Sequence, residues 1–185
     1  MIYVTSDLHF NHDKEFIWGP RGFKSCKESN ETLIKNWNSI VTDEDTVIVD
    51  GDFFLGPDIE YVKNTLPQLN GKIILIIGNH DTPAKIKIYE ESDKIIEICW
   101  AKQIEYKGRK FYISHYPTMT AELNSNPKTC VFDLFGHTHS KKKFFEERPY
   151  MYNVAVDAHD GKPVSIEQIY QDIDDLIHDC RRFLV

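Results

Sequence analysis

The chain has 185 residues, 41% of them hydrophobic and 28% charged, with a formal net charge of −7. That length suits one compact domain with a real core, and the composition excludes disorder, a collagen-like repeat and a disulfide-framed miniprotein. No apolar run approaches the roughly 18 residues of a membrane span, and the acidic balance argues against a general nucleic-acid binder, which relies on clustered Lys and Arg.

The opening residues, MIYVTSD, read as a strand running into polar residues, without the basic start and apolar core of a signal peptide. The four cysteines, at 26, 99, 130 and 180, form no CxxC pair. Reduced thiols and a cytoplasmic location are therefore expected. No linker or repeat divides the sequence, so one domain is expected over residues 1–185.

In chain order, short apolar runs predict buried strands at Ile2–Thr5, Thr46–Val49, Ile73–Ile77, Phe111–Ser114, Val131–Phe135 and Tyr152–Val156. Several carry apolar residues consecutively, as strands covered on both faces do. Between the first two lies a helical pattern with Leu33, Ile34, Trp37, Ile40 and Val41 on one face and Ser29 or Asn30 as its N-cap. A shorter helix is expected from Asp58 as N-cap through Ile59, Val62 and Leu66, ending near Pro67. Lys107–Gly108 reads as a hairpin turn. Ser165 with Gln168 opens a C-terminal helix whose apolar face carries Ile169, Ile173, Leu176, Ile177, Cys180 and Phe183. Trp37, Phe53 and Phe54 are expected in the core. The early alternation of strands and helices implies a parallel sheet, and the later hairpins a second, more antiparallel one; together they make an α/β sandwich.

Five of the eight histidines stand just after predicted strands. Asp7 and His9 come after the first; Gly51–Asp52 after the second; Gly78–Asn79–His80–Asp81 after the third; Ser114–His115 and Gly136–His137–Thr138–His139 after two later ones. The carboxyl ends of strands are where α/β sheets bind ligands, so these groups are expected to converge. In extended backbone, i and i+2 share a side, which makes Asp7/His9 and His137/His139 two clamps. Imidazole with carboxylate suits Mn, Fe or Zn. Asp7, His9, Asp52, Asn79, His115, His137 and His139 exceed one tetrahedral ion and suit two ions roughly 4 Å apart, with Asp52 the natural bridge. Two divalent ions against two carboxylates leave the site positive, which favours an anionic phosphate ester attacked by a hydroxide generated at the metals. His80, next to a ligand without being one, is placed to protonate a leaving oxygen, with Asp81 orienting its ring. His12 and Arg21 are candidates for the substrate mouth, each with a bland alternative as a loop cap or surface residue. Asp157 either supports the site or only ends its strand.

The ordered set D-x-H, G-D, G-N-H-D, S-H and G-H-T-H resembles the calcineurin-like metallophosphoesterase superfamily, and DLHFNH, RGF, SHYP and NVAVD resemble its small single-domain bacterial and phage members. The resemblance implies a fold of two facing mixed β-sheets flanked by helices. It also implies one metal on Asp7, His9, Asp52 and His139, a second on Asp52, Asn79, His115 and His137, and His80 as catalytic acid or phosphate contact. The expected activity is hydrolysis of a phosphomonoester or phosphodiester, nucleotides included, with Mn as the first choice of metal and Fe, Zn or Ni as others. Two readings compete: a non-catalytic scaffold of the same fold, which predicts eroded motifs where these are intact, and a nuclease acting on short nucleic acid. No membrane partner and no stable nucleic-acid complex are expected, and the oligomeric state is not legible.

Overall fold

The computed structural model describes residues 1–121, 125–126 and 128–182, the side chains of Glu147 and of residues 179–182 excepted. Nine strands and five α-helices form along these residues, the helices falling among the first four strands and at the end. They are β1 (Ile2–Thr5), α1 (Glu15–Trp18), α2 (Cys26–Asn38), β2 (Thr46–Asp50), α3 (Ile59–Thr65), β3 (Lys72–Ile76), α4 (Pro83–Glu90), β4 (Ile95–Cys99), β5 (Lys102–Tyr106), β6 (Arg109–Ile113), β7 (Val131–Phe135), β8 (Met151–Asn153), β9 (Val164–Ser165) and α5 (Ile166–Arg182).

Two mixed sheets form. One has the order β4-β3-β2-β1-β9 and the other β5-β6-β7-β8. In the first, β1 to β4 pair in parallel and β9 runs antiparallel to β1. In the second, only β5 and β6 are antiparallel; β6, β7 and β8 are parallel neighbours. The second sheet is thus the more antiparallel of the two in its paired residues, as expected, but most of it is parallel. The hairpin at Lys107–Gly108 exists, with φ of 49° and 77°, but after β6 the chain returns by long crossovers that restore the parallel direction.

The consecutive apolar residues of the central strands have a simple cause. Val47, Val49, Ile73 and Leu75 pack with Leu33, Trp37, Val62 and Ile88 under the helices. Ile48, Ile74 and Ile76, on the opposite face, pack with Phe111, Ile113, Phe132 and Leu134 of the second sheet and with Ile166, Ile169 and Ile173 of α5. Both faces are covered, so alternation disappears. Trp37, Phe53 and Phe54 are fully buried.

The helix caps agree only in part with expectation. Asp58 caps α3 by accepting from Tyr61 N. The cap of α2 is Ser25, whose hydroxyl accepts from Glu28 N, not Ser29 or Asn30, which lie one turn inside and are buried. Ser165 accepts from Gln168 N, but the Gln168 amide turns to Asp172 instead of back to the cap. Phe183 and the Cys180 side chain lie outside the described residues, while Ile169, Ile173 and Ile177 are buried as expected. Among the described residues no helix is long and apolar enough to cross a membrane. Cys26, Cys99 and Cys130 are free thiols.

Candidate metal centre

The loops that leave β1, β2, β3, β6 and β7 at their carboxyl ends meet along one edge of the sandwich. Their backbones zip together: Asp7 N donates to Gly51 O at 3.2 Å, His9 N to Asp52 O at 3.0 Å and Gly136 N to His115 O at 3.1 Å. Five side chains expected as ligands sit on backbone turned into the left-handed region, with φ of 56° at Asp7, 49° at His9, 53° at Asp52, 65° at His137 and 49° at His139. Such conformations cost roughly 1–3 kcal/mol each and persist where the surroundings over-determine them. The clamp geometry therefore comes from paired left-handed turns, not from extended backbone as the i, i+2 spacing suggested. Gly136 is required for another reason: a Cβ there would collide with Ser6 Oγ and Asp7 Oδ2.

His9 Nε2 stands 3.7 Å from Asp7 Oδ1, 3.6 Å from Asp52 Oδ2 and 3.1 Å from His139 Nε2. His115 Nε2 stands 3.4 Å from Asp52 Oδ2 and 3.0 Å from Asn79 Oδ1. Ligand atoms of Asp7, His9 and His139, and of Asp7, Asp52 and His115, fall within 4.8 Å of one another. Both carboxylates thus stand between the two sets: Asp7 belongs to each, and Asp52 Oδ2 lies between His9 and His115. The His137/His139 pair divides. His139 joins Asp7 and His9, whereas the His137 ring packs edge-on against Tyr116 and His115, with centroids 4.7 and 5.2 Å away. Asp7, His9, Asp52 and His115 form a buried floor; Asn79, His80 and His137 are exposed at the rim.

Whether these residues fit metal ions is decided by their unused lone pairs. Asp7 Oδ2 accepts from Ser6 Oγ at 2.6 Å and from His137 N at 2.8 Å. Its other oxygen, Oδ1, is buried without a hydrogen-bond partner and aims at the cluster. Asp52 Oδ1 accepts from His80 N at 2.8 Å, which leaves Oδ2 to the cluster. His115 Nδ1 lies 2.8 Å from Asp50 O, and His139 Nδ1 lies 3.1 Å from Asp157 Oδ2. Each acceptor calls for a proton on Nδ1 and so turns an Nε2 lone pair inward, the arrangement found behind metal-bound imidazoles. Carboxylate oxygens and imidazole nitrogens converging in this way make a donor set that fits a divalent cation.

Electrostatics respond to the same crowding. Burial would raise both carboxyls, but neighbouring imidazoles outweigh it: contact with His9, then the charges of His115 and His139, hold Asp7 below its usual range, and His115 above all brings Asp52 to about 2. Burial would lower His115, yet Asp52 and Asp7 push it up to about 9. Burial wins at His9, which is lowered. His12, whose ring lies 5.5 Å from His9, is brought to about 4 by burial and then by the positive charge of His9 and His80.

Two expected residues stand in different relations from those foreseen. Asp81 does not touch the His80 ring. Its carboxylate accepts from Asp52 N and Gly78 N, both at 2.9 Å, from Phe53 N at 3.4 Å and from Tyr89 Oη at 3.3 Å, so it ties together the two loops that carry Asp52 and Asn79. Arg21 is buried behind the site instead of reaching the substrate mouth: it grips Asp157 through Nε at 3.0 Å and Nη2 at 2.9 Å, and donates to the carbonyls of Leu8 and Asp7. His12 does line the open cleft of about 600 Å³ that contains His9, Asn79, His80, His137 and His139. His80 remains 47% exposed there, with Nε2 4.0 Å from Asp52 Oδ2.

Sequence reasoning missed the supports. Lys85 is buried and donates from Nζ to Phe54 O at 2.6 Å and His80 O at 2.9 Å, which pins the His80 backbone. Its place in α4 carried no signal, because that helix has no marked apolar stripe. Asp157, one of two open readings, is a support. Arg21, His139 and burial act on it together: burial would raise its carboxyl, but His139 and then Arg21 bring it to about 2.

A sandwich of two mixed sheets with an Asp/His/Asn cluster at the strand ends defines an α/β protein with a candidate metal site. The chain belongs to the calcineurin-like phosphoesterase family, whose sequence profile matches residues 1–179. It is 35% identical over 178 residues to an uncharacterized protein of Methanocaldococcus jannaschii, covering 91% of this chain and 88% of that one. It is 27% identical to the Gene 66 protein of Mycobacterium phage L5, covering 96% and 95%. A crystal structure of a protein of unknown function from Aquifex aeolicus shares the fold with a TM-score of 0.69 at 27% identity, covering 92% of this chain and 98% of that one.

Proposed function

We propose that the protein hydrolyses a small phosphomonoester or phosphodiester with two divalent ions, manganese first among them, in the cytoplasm. The observation that carries this is Asp7 Oδ1, a buried acceptor without a partner, aimed with the inward Nε2 atoms of His9 and His139 at one point. Asp7, His9, Asp52 and His139 would hold one ion, and Asp52, Asn79, His115 and His137 the other. Such ions supply hydroxide at neutral pH and neutralise charge on the phosphoryl oxygens.

The chain's own groups do the rest. Asp157 and Asp50 O fix the rings of His139 and His115 through their Nδ1 atoms. Asp81 and Lys85 hold the loops that carry Asp52 and His80. His80, exposed above Asp52, meets the bound ester and gives a proton to the departing oxygen or stabilises charge on the phosphoryl group. A net charge of −7 and free thiols support a small-molecule substrate and a reducing compartment over a long polyanion and a secreted setting.

The test is turnover of aryl phosphates and bis-aryl phosphodiesters by protein loaded with Mn, Ni, Fe or Zn, alongside His80→Ala. The variant should bind the same amount of metal as the parent and lose about 10²-fold or more in rate. No turnover with any of the four metals would contradict the proposal.

A further inference from the structure

A second cleft, of about 420 Å³, adjoins the candidate metal centre and shares His80 and Leu55 with its wall. Its remaining surface is mostly carbon, from Pro57, Ile59, Val62 and Ala84. Ile59 is 43% exposed, although it opens α3 where a polar residue would suffice. Of the polar groups present, Lys85 Nζ is bonded to two carbonyls and Asp58 Oδ1 accepts from Tyr61 N as the helix cap, while the Thr82 hydroxyl makes no cap bond. Of the Asp and Lys side chains on the lining, Lys85 is buried against carbonyls and Asp58 is exposed, so it is the Asp58 carboxylate that meets and repels a second anionic group.

We propose that this cleft receives an apolar organic group of the substrate, attached to the phosphoryl group through the oxygen that His80 faces. The inference rests on the hydrolase reading above and adds to it a substrate class: esters of apolar or aromatic alcohols, with sugar phosphates and nucleoside polyphosphates disfavoured. Three features support this class. Most of the lining is carbon, and burying a sugar hydroxyl against carbon without a partner is disfavoured. Its acidic rim opposes additional phosphates. Its junction with the metal centre is His80, where the bond between phosphorus and the organic oxygen would break, the proton from His80 passing to that oxygen as water's oxygen bonds to phosphorus.

Binding of methylphosphonate and 2-naphthylphosphonate to Mn-loaded protein, measured by calorimetry, tests the assignment. The parent protein should bind the naphthyl compound about tenfold or more tightly than the methyl compound, given the apolar surface removed from water. Ile59→Asp and Ala84→Asp, made separately because either could disturb its helix, should each erase most of that preference while leaving methylphosphonate affinity and metal content unchanged. Equal affinity of the two phosphonates for the parent, or a preference that survives both substitutions, overturns the assignment and leaves the hydrolase reading intact. Failure of both phosphonates to bind overturns the two together.

Discussion

Asp81 separates two accounts of the loop that carries His80. If it acted through the His80 ring, its neutral analogue would lose turnover and keep its metal. The geometry says otherwise: the carboxylate accepts from Gly78 N, Asp52 N, Phe53 N and Tyr89 Oη, and none of these is His80. Asp81→Ala strands buried backbone N–H groups, each at about 1–3 kcal/mol. Burial, and then the charge of Asp52, push the Asp81 carboxyl up, so deleting it also relieves some repulsion. The net expectation is a loss of about 3–5 kcal/mol, a large share of the 5–15 kcal/mol typical of a domain. Asp81→Asn keeps one acceptor oxygen for the two 2.9 Å bonds and should lose only about 1–2 kcal/mol. Urea unfolding of metal-free protein gives these values, and elemental analysis after dialysis gives the metal retained. The Ala variant should be markedly less stable and bind less metal, with any fall in rate tracking metal content. If Asp81→Asn keeps full stability and full metal yet falls in rate as far as His80→Ala, the strut account is refuted.

Two further outcomes depend on single contacts. Asp157→Ala frees the His139 ring and leaves Arg21 without its carboxylate, so metal affinity measured by competition with a chelator should fall about 10- to 100-fold. Asp133 is fully buried on β7, where one oxygen accepts from Thr118 N at 2.9 Å and the other has no partner. Burial pushes its carboxyl up to about 7 from an ordinary 3.8. The folded state therefore keeps a proton that the unfolded chain releases, and stability falls as pH rises from about 4 to about 7, by roughly 2–4 kcal/mol. Asp133→Asn should flatten that slope in urea titrations at pH 4.5 and 8; an unchanged slope would mean the carboxyl ionises freely.

The sequence displayed its strands well because both faces of β1, β2 and β3 are covered, so that Thr46–Val49 and Ile73–Ile77 stand out as apolar runs. It concealed β4, which lies at the sheet edge with Ile96 55% exposed, and α4, whose pattern is nearly even although Ile88 and Tyr89 are buried. The candidate ligands were legible because glycine, histidine and carboxylate recur directly after strands. Their supports were not, since Asp81, Arg21 and Lys85 act through hydrogen bonds to carbonyls and amides of loops distant in the chain. Spacing shows which residue types are available; only the fold shows that Asp81 faces Gly78 N and not His80, or that Arg21 turns inward to Asp157. The left-handed backbone at Asp7, His9, Asp52, His137 and His139 was equally hidden, because none of those positions is glycine.

The central claim is that loops from separate strands cage two cations around Asp7 and Asp52. Anomalous diffraction from crystals of the Mn-loaded protein measures this directly. The account predicts two manganese peaks roughly 4 Å apart, one among Asp7, His9 and His139 and the other among Asn79, His115 and His137, with Asp52 between them. A single peak, or manganese bound away from Asp7 Oδ1, would contradict it.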